Sequence, residues 1–318
     1  MILSTVMARL ETIAIVAAVA LFFLFWALIG QGWIDNLPSL LRDVSWLGIV
    51  TIGTAMVIVS GEFDLSVGSV YAFVSMVFLI LMQAGTGPEA AIVLALILAA
   101  AIGWLNGFLV WHFRLPSLLV SLGFLFVYRG LVEWVTGGFT LVTPEQIQSN
   151  WLIVLLGGKT LGLHNAIPIC IAILALFTFV MAKTRFGNHV YAVGGDIGAA
   201  TATGVPVGRV KIRTFMLSAV LAGFAGIITA ASLSSVSTTT ASGMEFEAIA
   251  ATVIGGVLLL GGAGTVWGAL FGVVTLLSLK HGLILLGINI FAYQILMGAV
   301  LVGLVAIKGI LPAKFVRP

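Results

Sequence analysis

The sequence predicts an all-α polytopic membrane protein, and two observations carry this prediction. Charged residues make up only 8% of the 318 residues, against 61% hydrophobic ones, whereas water-soluble domains carry about 25% charged residues. Apolar runs long enough to cross a bilayer also recur along the chain, since about 20 helical residues span a hydrocarbon core of about 30 Å. We therefore expect a single transmembrane domain over residues 1–318.

The spacing of the apolar runs predicts about ten membrane spans. The first run is longer than the core of a signal peptide and no small-residue cleavage site follows it, so we expect it to be retained. Two short connections, at 61–64 and at 263, indicate broken or re-entrant segments. The expected spans are 12–30, 44–60, 65–83, 89–111, 117–136, 163–182, 214–232, 246–262, 264–286 and 291–310.

The basic residues orient these spans. With both termini in the cytoplasm, ten Lys and Arg residues lie on the cytoplasmic side, and only Arg42 and Lys159 lie in outer loops. Short basic loops are poorly translocated, so this bias favours cytoplasmic termini. Basic residues placed at span ends give no reason to expect nucleic acid as a partner. The ten are Arg9, Arg114, Lys183, Arg185, Arg209, Lys211, Arg213, Lys308, Lys314 and Arg317.

One charged interruption is long enough to be a functional element: residues 183–213, which we name the central loop. It holds five of the fourteen Lys and Arg residues against a single acid, Asp196. The glycine and alanine residues within 194–200 suit a short helix that packs closely against a partner, and Gly204 with Pro206 should end it. We expect this cytoplasmic loop to dock on another protein; a solvated connector is the alternative.

Two acidic clusters lie beside apolar runs. The first, residues 60–69, contains Glu62 and Asp64, and the second, residues 243–247, contains Glu245 and Glu247. A charge at the centre of a membrane helix costs about 2.5–3.5 kcal/mol, so these carboxylates should have partners. We expect Asp64 or Ser66 to cap the following helix, and Asp64 to organise the turn rather than to contact a solute.

The two clusters share the pattern Glu-Phe-acid at positions 183 residues apart. With ten spans they would face opposite sides of the membrane, as in an inverted repeat. Chance similarity is the alternative for so short a match.

Charged residues inside the expected spans are further candidates for the transport path. Arg129 and Glu133 are four residues apart and could form an intramembrane pair. Lys280 is expected to extend its ammonium group toward the membrane surface. The structural and translocation candidates are Glu62, Asp64, Ser66, Gly68, Arg129, Glu133, Glu245 and Glu247.

No enzyme chemistry is expected of this chain. Residues 157–160 read Gly-Gly-Lys-Thr, like the end of a phosphate-binding loop, but Ile153 replaces the earlier glycine. The four histidines are scattered without metal-ligand spacing, and the single cysteine, Cys170, excludes an intramolecular disulfide. We expect no catalytic residue, no metal and no cofactor.

Three motifs, SGEFDLSVGS, YAVGGDIGAATATGV and GMEFEAIAATVIGG, resemble the signatures of bacterial ABC permeases of the ribose, xylose and galactose importer group. They occur in the family's order, and the resemblance covers roughly residues 40–310. It implies a ten-span inner-membrane permease for a monosaccharide or related small polyol. The implied partners are cytoplasmic ATP-binding subunits that hydrolyse ATP, a second permease copy or paralogue, and a periplasmic sugar-binding protein.

In such permeases the central loop carries a coupling helix that contacts the ATPase. The sequence departs from the family at Gly198, where glutamate is common, and at Thr201, where arginine is common. A charged contact would have to come from Asp196, Arg185 or Arg209 instead. The resemblance assigns ATPase coupling to Arg185, Gly187, Gly194, Gly195, Asp196, Ala199, Ala200 and Gly204.

Two alternatives remain from the sequence alone. An ABC permease of a related subfamily would carry nucleosides or branched-chain amino acids. A secondary transporter would bind its driving ion at Glu62, Asp64 or Glu133 and would work without partner subunits.

Overall fold

The computed structural model describes residues 2–143 and 148–310, so Lys314 and Arg317 lie outside the described residues. The described chain is mainly helical, with a few two-residue strands. The helices are α1 (Ile2–Ile29), α2 (Gln31–Val59), α3 (Val67–Gln83), α4 (Pro88–His112), α5 (Ser117–Thr136), α6 (Trp151–Gly157), α7 (Ala166–Lys183), α8 (Arg185–Gly195), α9 (Ile197–Ala202), α10 (Val207–Leu233), α11 (Met244–Ile254), α12 (Val266–Leu285) and α13 (Ile290–Ile310). The strands are β1 (Leu141–Val142), β2 (Lys159–Thr160), β3 (Leu163–His164) and β4 (Ser235–Val236).

Seven helices in the described ranges are long and apolar enough to cross a membrane, and each overlaps an expected span. The other three expected spans correspond to α3, of 17 residues, to α11, of 11 residues, and to α13. The chain is therefore a helical polytopic membrane protein. The seven are Glu11–Ile29 of α1, α2, α4, α5, α7, α10 and α12.

Several helix boundaries differ from the sequence prediction. Helix α2 begins at Gln31 and contains Arg42, which was expected in an outer loop. Helix α10 begins at Val207, so the last three basic residues of the central loop lie in its first two turns. Hydropathy underestimates both helices because polar turns at a helix end lower the mean of a membrane-length window.

The eighth expected span, 246–262, is not one helix. Helix α11 ends at Ile254, and residues 255–265 are non-helical. Gly256, Gly261 and Gly262 have positive φ values there, a conformation that glycine adopts without steric cost. Eleven residues of helix rise only about 16 Å, roughly half the thickness of a bilayer core.

Helix α10 is the centre of the bundle and packs against α2, α3 and α4. Glycines allow these close approaches: a Cβ atom on Gly107 of α4 would lie 2.7 Å from the Ile212 Cα, and one on Gly53 of α2 would lie 2.8 Å from the Ser218 Cα. Lipid provides no hydrophobic driving force for helices to associate, so close packing of their backbones stabilises the bundle instead. The same holds in α12, where Gly272 lies against the Ala251 carbonyl of α11 and Gly268 lies against the carbonyl of Gly255, the residue after α11.

The bundle has two distinguishable ends. At the end that carries the central loop lie the last residues of α2 and the start of α12. At the opposite end, β1, which follows α5, pairs with β4, which follows α10, with Leu141 opposite Val236. Helices α5 and α10 therefore run from the central-loop end to the opposite end.

Candidate functional site

The central loop folds into two short helices, α8 and α9, joined at Asp196. The Asp196 carboxylate caps α9 by accepting a hydrogen bond from the Ala199 N–H (2.9 Å), as an acidic N-cap residue does. After α9 the chain turns at Gly204, which has a φ of 81°. The expected short helix ended by Gly204 is therefore present, and Asp196 begins it.

Two of the glycines assigned to this loop serve close packing within the chain. Gly187 lies against the backbone of Met181, so α8 folds tightly back on α7. Gly194 lies against the Val59 carbonyl and the Gly262 N–H, which themselves form a hydrogen bond of 2.8 Å. The central loop thus contacts the turn after α2 and the segment after α11. A displacement of the loop would therefore displace both of these segments.

The surface of α9 is available to a partner. Its residues are exposed except Ala200, which is buried against the rest of the chain (3% exposed). Ala199 and Gly198 lie on the exposed side, next to Ile197, a large apolar residue that is 46% exposed. Sequence reasoning missed Ile197, although a single isoleucine among glycines, alanines and threonines was a usable signal.

Lys211 does not belong to the exposed basic surface. Its ammonium group forms a buried ion pair with Glu62, whereas Arg185, Arg209 and Arg213 are exposed. The pair ties the start of α10 to the turn before α3. The Glu62 carboxylate is therefore paired with a side chain of the same protein chain in this conformation.

Asp64 organises the turn before α3 in a different way from the cap that the sequence suggests. Its Oδ1 atom accepts hydrogen bonds from the Ser66 backbone N–H (2.9 Å) and the Ser66 hydroxyl (2.6 Å). Ser66 is the N-cap residue of α3, but its side chain caps no helical N–H. Its hydroxyl instead accepts from the Asn106 amide of α4 (3.0 Å). The prediction of a side-chain cap is wrong because these closer polar groups compete for both side chains.

The second acidic cluster lies in the first turn of α11. Glu247 accepts from the Lys280 ammonium (2.8 Å) and from the Tyr293 hydroxyl (3.2 Å), so α11, α12 and α13 are joined. The expectation that Lys280 reaches toward the membrane surface is wrong, because a carboxylate lies within reach inside the bundle. Glu245 is buried (5% exposed), and its Oε2 atom has no hydrogen-bond partner among the described residues.

The two acidic clusters are not structural equivalents. Glu62 and Asp64 lie in the non-helical stretch before α3, whereas Glu245 and Glu247 are helical. The two clusters meet inside the bundle, since Gly68 in the first turn of α3 lies directly against the Glu245 carboxylate. The inverted repeat stays a prediction.

Arg129, in the middle of α5, binds backbone rather than an acid. Its Nη1 atom donates to the carbonyl oxygens of Thr238 (3.0 Å) and Thr240 (2.8 Å). Between the described residues no ion pair of 4.0 Å or less joins Arg129 to Glu133, and Glu133 is exposed. The predicted intramembrane pair is wrong because unsatisfied carbonyls of a non-helical segment lie closer.

Within the described ranges no group of three or more His, Cys, Asp or Glu side chains is placed to hold a metal ion. The single cysteine, Cys170, is buried in α7.

The family model for the branched-chain amino acid transport system / permease component matches residues 36–305. The chain belongs to this family. It is 38% identical to a probable ABC transporter permease protein, YphD, of Escherichia coli K12, over 92% of this chain and 88% of that protein. It is 35% identical to the L-arabinose ABC transporter permease protein AraH of Azospirillum brasilense, over 84% and 77% of the two chains. It is 32% identical to the autoinducer 2 import system permease protein LsrC of Salmonella typhi, over 94% and 85%.

No solved structure matches the chain. The family and the relatives confirm the resemblance to ABC permeases, and with seven membrane-length helices they identify a multi-pass protein of the bacterial inner membrane.

Proposed function

We propose that this chain is the membrane-spanning subunit of an ATP-driven importer and forms the path for a monosaccharide or related small polyol. The observation that carries the proposal is the similarity to permease components over nearly the whole chain, including one named for L-arabinose. The chain would itself be no enzyme. ATP hydrolysis would take place in separate cytoplasmic subunits.

The central loop is the proposed contact with those subunits. Its exposed face combines Ile197, Gly198 and Ala199 with exposed arginines, and its buried face contacts the turns that follow α2 and α11. A movement of α9 imposed by the ATP-binding subunit would therefore displace both the turn after α2 and the segment after α11. The other proposed partners are a second permease copy or paralogue beside this chain and a periplasmic sugar-binding protein at the opposite end of the bundle.

This function requires a defined orientation. We propose that the central-loop end is cytoplasmic, with both termini on that side and ten passes through the membrane when α3, α11 and α13 are counted. The excess of Lys and Arg on that side supports the orientation.

The other cargo and mechanism classes have less support. Nucleoside cargo appears in none of the relatives' names given above, and branched-chain amino acids appear only in the description of the family. Two of the three carboxylates considered for an ion-coupled carrier are occupied within the chain, since Glu62 is paired with Lys211 and Asp64 is bonded to Ser66, whereas Glu133 is exposed. Both observations favour the ATP-driven importer.

Reconstitution into proteoliposomes tests the proposal. The chain with its ATP-binding subunits and binding protein should take up at least one of L-arabinose, ribose, xylose and galactose in the presence of ATP. Autoinducer 2, a nucleoside and leucine serve as competing cargoes. The chain alone should neither hydrolyse ATP nor transport, and uptake by the chain alone under a proton or sodium gradient would contradict the importer.

A single substitution tests the docking face. Ala199→Trp places a bulky ring on the exposed side of α9, where overpacking of about 1–3 kcal/mol would lower affinity for the ATP-binding subunit by about 5-fold to 150-fold. Ala200→Trp is a poorer test because Ala200 is buried within this chain. Ala90→Trp, exposed in the first turn of α4 at the opposite end, is the matched control. Co-purification of the ATP-binding subunit is the measurement, and equal recovery with both variants would identify a solvated connector.

A further inference from the structure

The segment between β4 and α11 is an unusual piece of a membrane protein. Five of the seven residues at 237–243 carry a hydroxyl group, and we name this stretch the hydroxyl segment. It is non-helical, and it runs from the strand pair at the opposite end of the bundle to the start of α11. The hydroxyl segment directly precedes α11, the helix that forms the first half of the expected eighth span.

The position of Arg129 shows how deep this segment lies. Arg129 is the thirteenth of the twenty residues of α5, about 18 Å along the helix from its first residue. Its guanidinium binds the Thr238 and Thr240 carbonyls. Non-helical backbone at this depth is tolerated only where protein or water satisfies it. Arg129 therefore holds the segment inside the bundle.

One face of the segment is open. Thr239 and Ser242 are exposed, as is Phe246 one turn later (43% exposed), and Glu133 is exposed on the neighbouring α5. Lipid cannot cover such a face, because hydroxyl groups and a carboxylate would lose their hydrogen bonds to water. The face must therefore line water or another polar surface.

Glu245 gives an independent indication of a ligand. It is buried at the base of the segment, and its Oε2 atom, without a hydrogen-bond partner among the described residues, lies against Gly68. A buried acceptor without a partner is costly, and it is retained where a donor reaches it during function.

We propose that the hydroxyl segment, held by Arg129, and the Phe246 ring form the surface over which the cargo passes in the middle of the membrane. The chemistry suits an uncharged polyol: hydroxyl side chains exchange hydrogen bonds with its hydroxyls, and an aromatic ring covers its apolar C–H face. Glu245 accepts a cargo hydroxyl when the starts of α3 and α11 separate. The proposal rests on the proposed function and names the residues of its path.

Cysteine labelling of the complete complex in proteoliposomes tests the surface. Thr239→Cys and Ser242→Cys are made in a Cys170→Ala background and treated with a positively charged, membrane-impermeant methanethiosulfonate. Ile171→Cys, on an apolar exposed position of α7, is the control. Lipid excludes the charged reagent, so in at least one nucleotide state we expect labelling at 239 and 242 about tenfold or more faster than at 171. Loaded binding protein with ATP should slow that labelling.

The outcomes separate the two proposals. If 239 and 242 label no faster than 171 without nucleotide, with ATP and with ATP plus vanadate, another chain covers the segment and the path assignment fails. Sugar uptake by the wild-type complex is measured in the same vesicles. If sugar uptake is absent while positions 239 and 242 both label fast, a sugar is not the cargo, but the hydroxyl segment still lines the translocation path.

Arg129 is a positioning residue in this proposal, and it has its own test. Arg129→Gln frees the two carbonyls, so we expect the labelling rate of Ser242→Cys to change about tenfold, while Arg129→Lys, which keeps one donor group, restores part of the difference. Co-purification of the ATP-binding subunit should not change. An unaltered labelling rate in Arg129→Gln would show that the segment keeps its position without this contact.

Discussion

The two short helices α3 and α11 have the same Glu-Phe-acid pattern at or just before their first turn, and the acids of the two patterns have different partners. Before α3, Glu62 is paired with Lys211, and Asp64 holds Ser66 with two hydrogen bonds. In α11, Glu247 is paired with Lys280, but Glu245 keeps one oxygen without a partner among the described residues.

The difference follows from what surrounds each cluster. The first lies at the central-loop end, where α10 supplies a lysine and α4 supplies an amide. The second lies within the bundle beside the hydroxyl segment, where glycine Gly68 offers Glu245 no side chain at all. The acids of the first cluster stabilise the fold through contacts within the chain. In the second cluster, the Glu245 carboxylate can still accept a hydrogen bond from a transient partner.

The largest expected effect is at the buried ion pair of the first cluster. Glu62→Ala leaves the Lys211 charge buried without a partner, and we expect about 3–5 kcal/mol of destabilisation. The measurement is thermal or denaturant unfolding of the purified protein in detergent. The double variant Glu62→Gln with Lys211→Met removes both charges and should recover most of the loss. Equal losses of unfolding free energy in the single and double variants would mean that packing, and not the ion pair, stabilises this contact.

A smaller effect is expected at the turn. Asp64→Asn keeps the shape but weakens two hydrogen bonds to Ser66, at a cost of about 1–3 kcal/mol. Folded yield should therefore fall more than the range of transported sugars changes. Asp35→Asn, at an exposed position of α2, is the matched control and should stay within about 0.5 kcal/mol of the wild type. Normal yield with an altered sugar range would place Asp64 in the path instead of the turn.

The two glutamates of the second cluster should contribute differently to stability, Glu247 more than Glu245. Glu247→Gln weakens the contact to Lys280, in an ion pair whose two side chains are partly accessible, and the hydrogen bond from the buried Tyr293 hydroxyl, so we expect about 1 kcal/mol of lost stability. Removal of either partner alone, by Lys280→Met or Tyr293→Phe, should cost no more than this. If Glu247→Gln were as costly as Glu62→Ala, the contrast between the clusters would not hold.

The smallest stability effect is expected at Glu245. Glu245→Gln keeps the shape and removes a charge that lacks a full set of partners, so unfolding should change by about 0.5 kcal/mol or less. Transport by the complete complex should nevertheless slow, because an amide is a weaker acceptor than a carboxylate. A variant with wild-type transport would show that Glu245 contributes nothing to the path.

The sequence by itself determined the class of protein and most of the helices. A chain with 8% charged residues cannot cover a water-facing surface, and hydropathy locates membrane helices because each satisfies its own backbone hydrogen bonds. It also located the central loop and the end of its short helix, since Gly204 and Asp196 act through local backbone geometry. Family membership followed from motifs that are local as well.

Only the tertiary structure decided which charges meet. Arg129 was expected to pair with Glu133, four residues away, but carbonyls more than a hundred residues distant in sequence take the guanidinium. Lys211 and Lys280 likewise pair with carboxylates on other segments of the chain, Glu62 before α3 and Glu247 of α11. The break of the eighth span was hidden because residues 255–262, Gly-Gly-Val-Leu-Leu-Leu-Gly-Gly, keep the hydropathy of the window apolar although they are non-helical. Partner choice in a membrane interior depends on which unsatisfied groups packing brings within about 3 Å, and spacing along one helix does not contain that information.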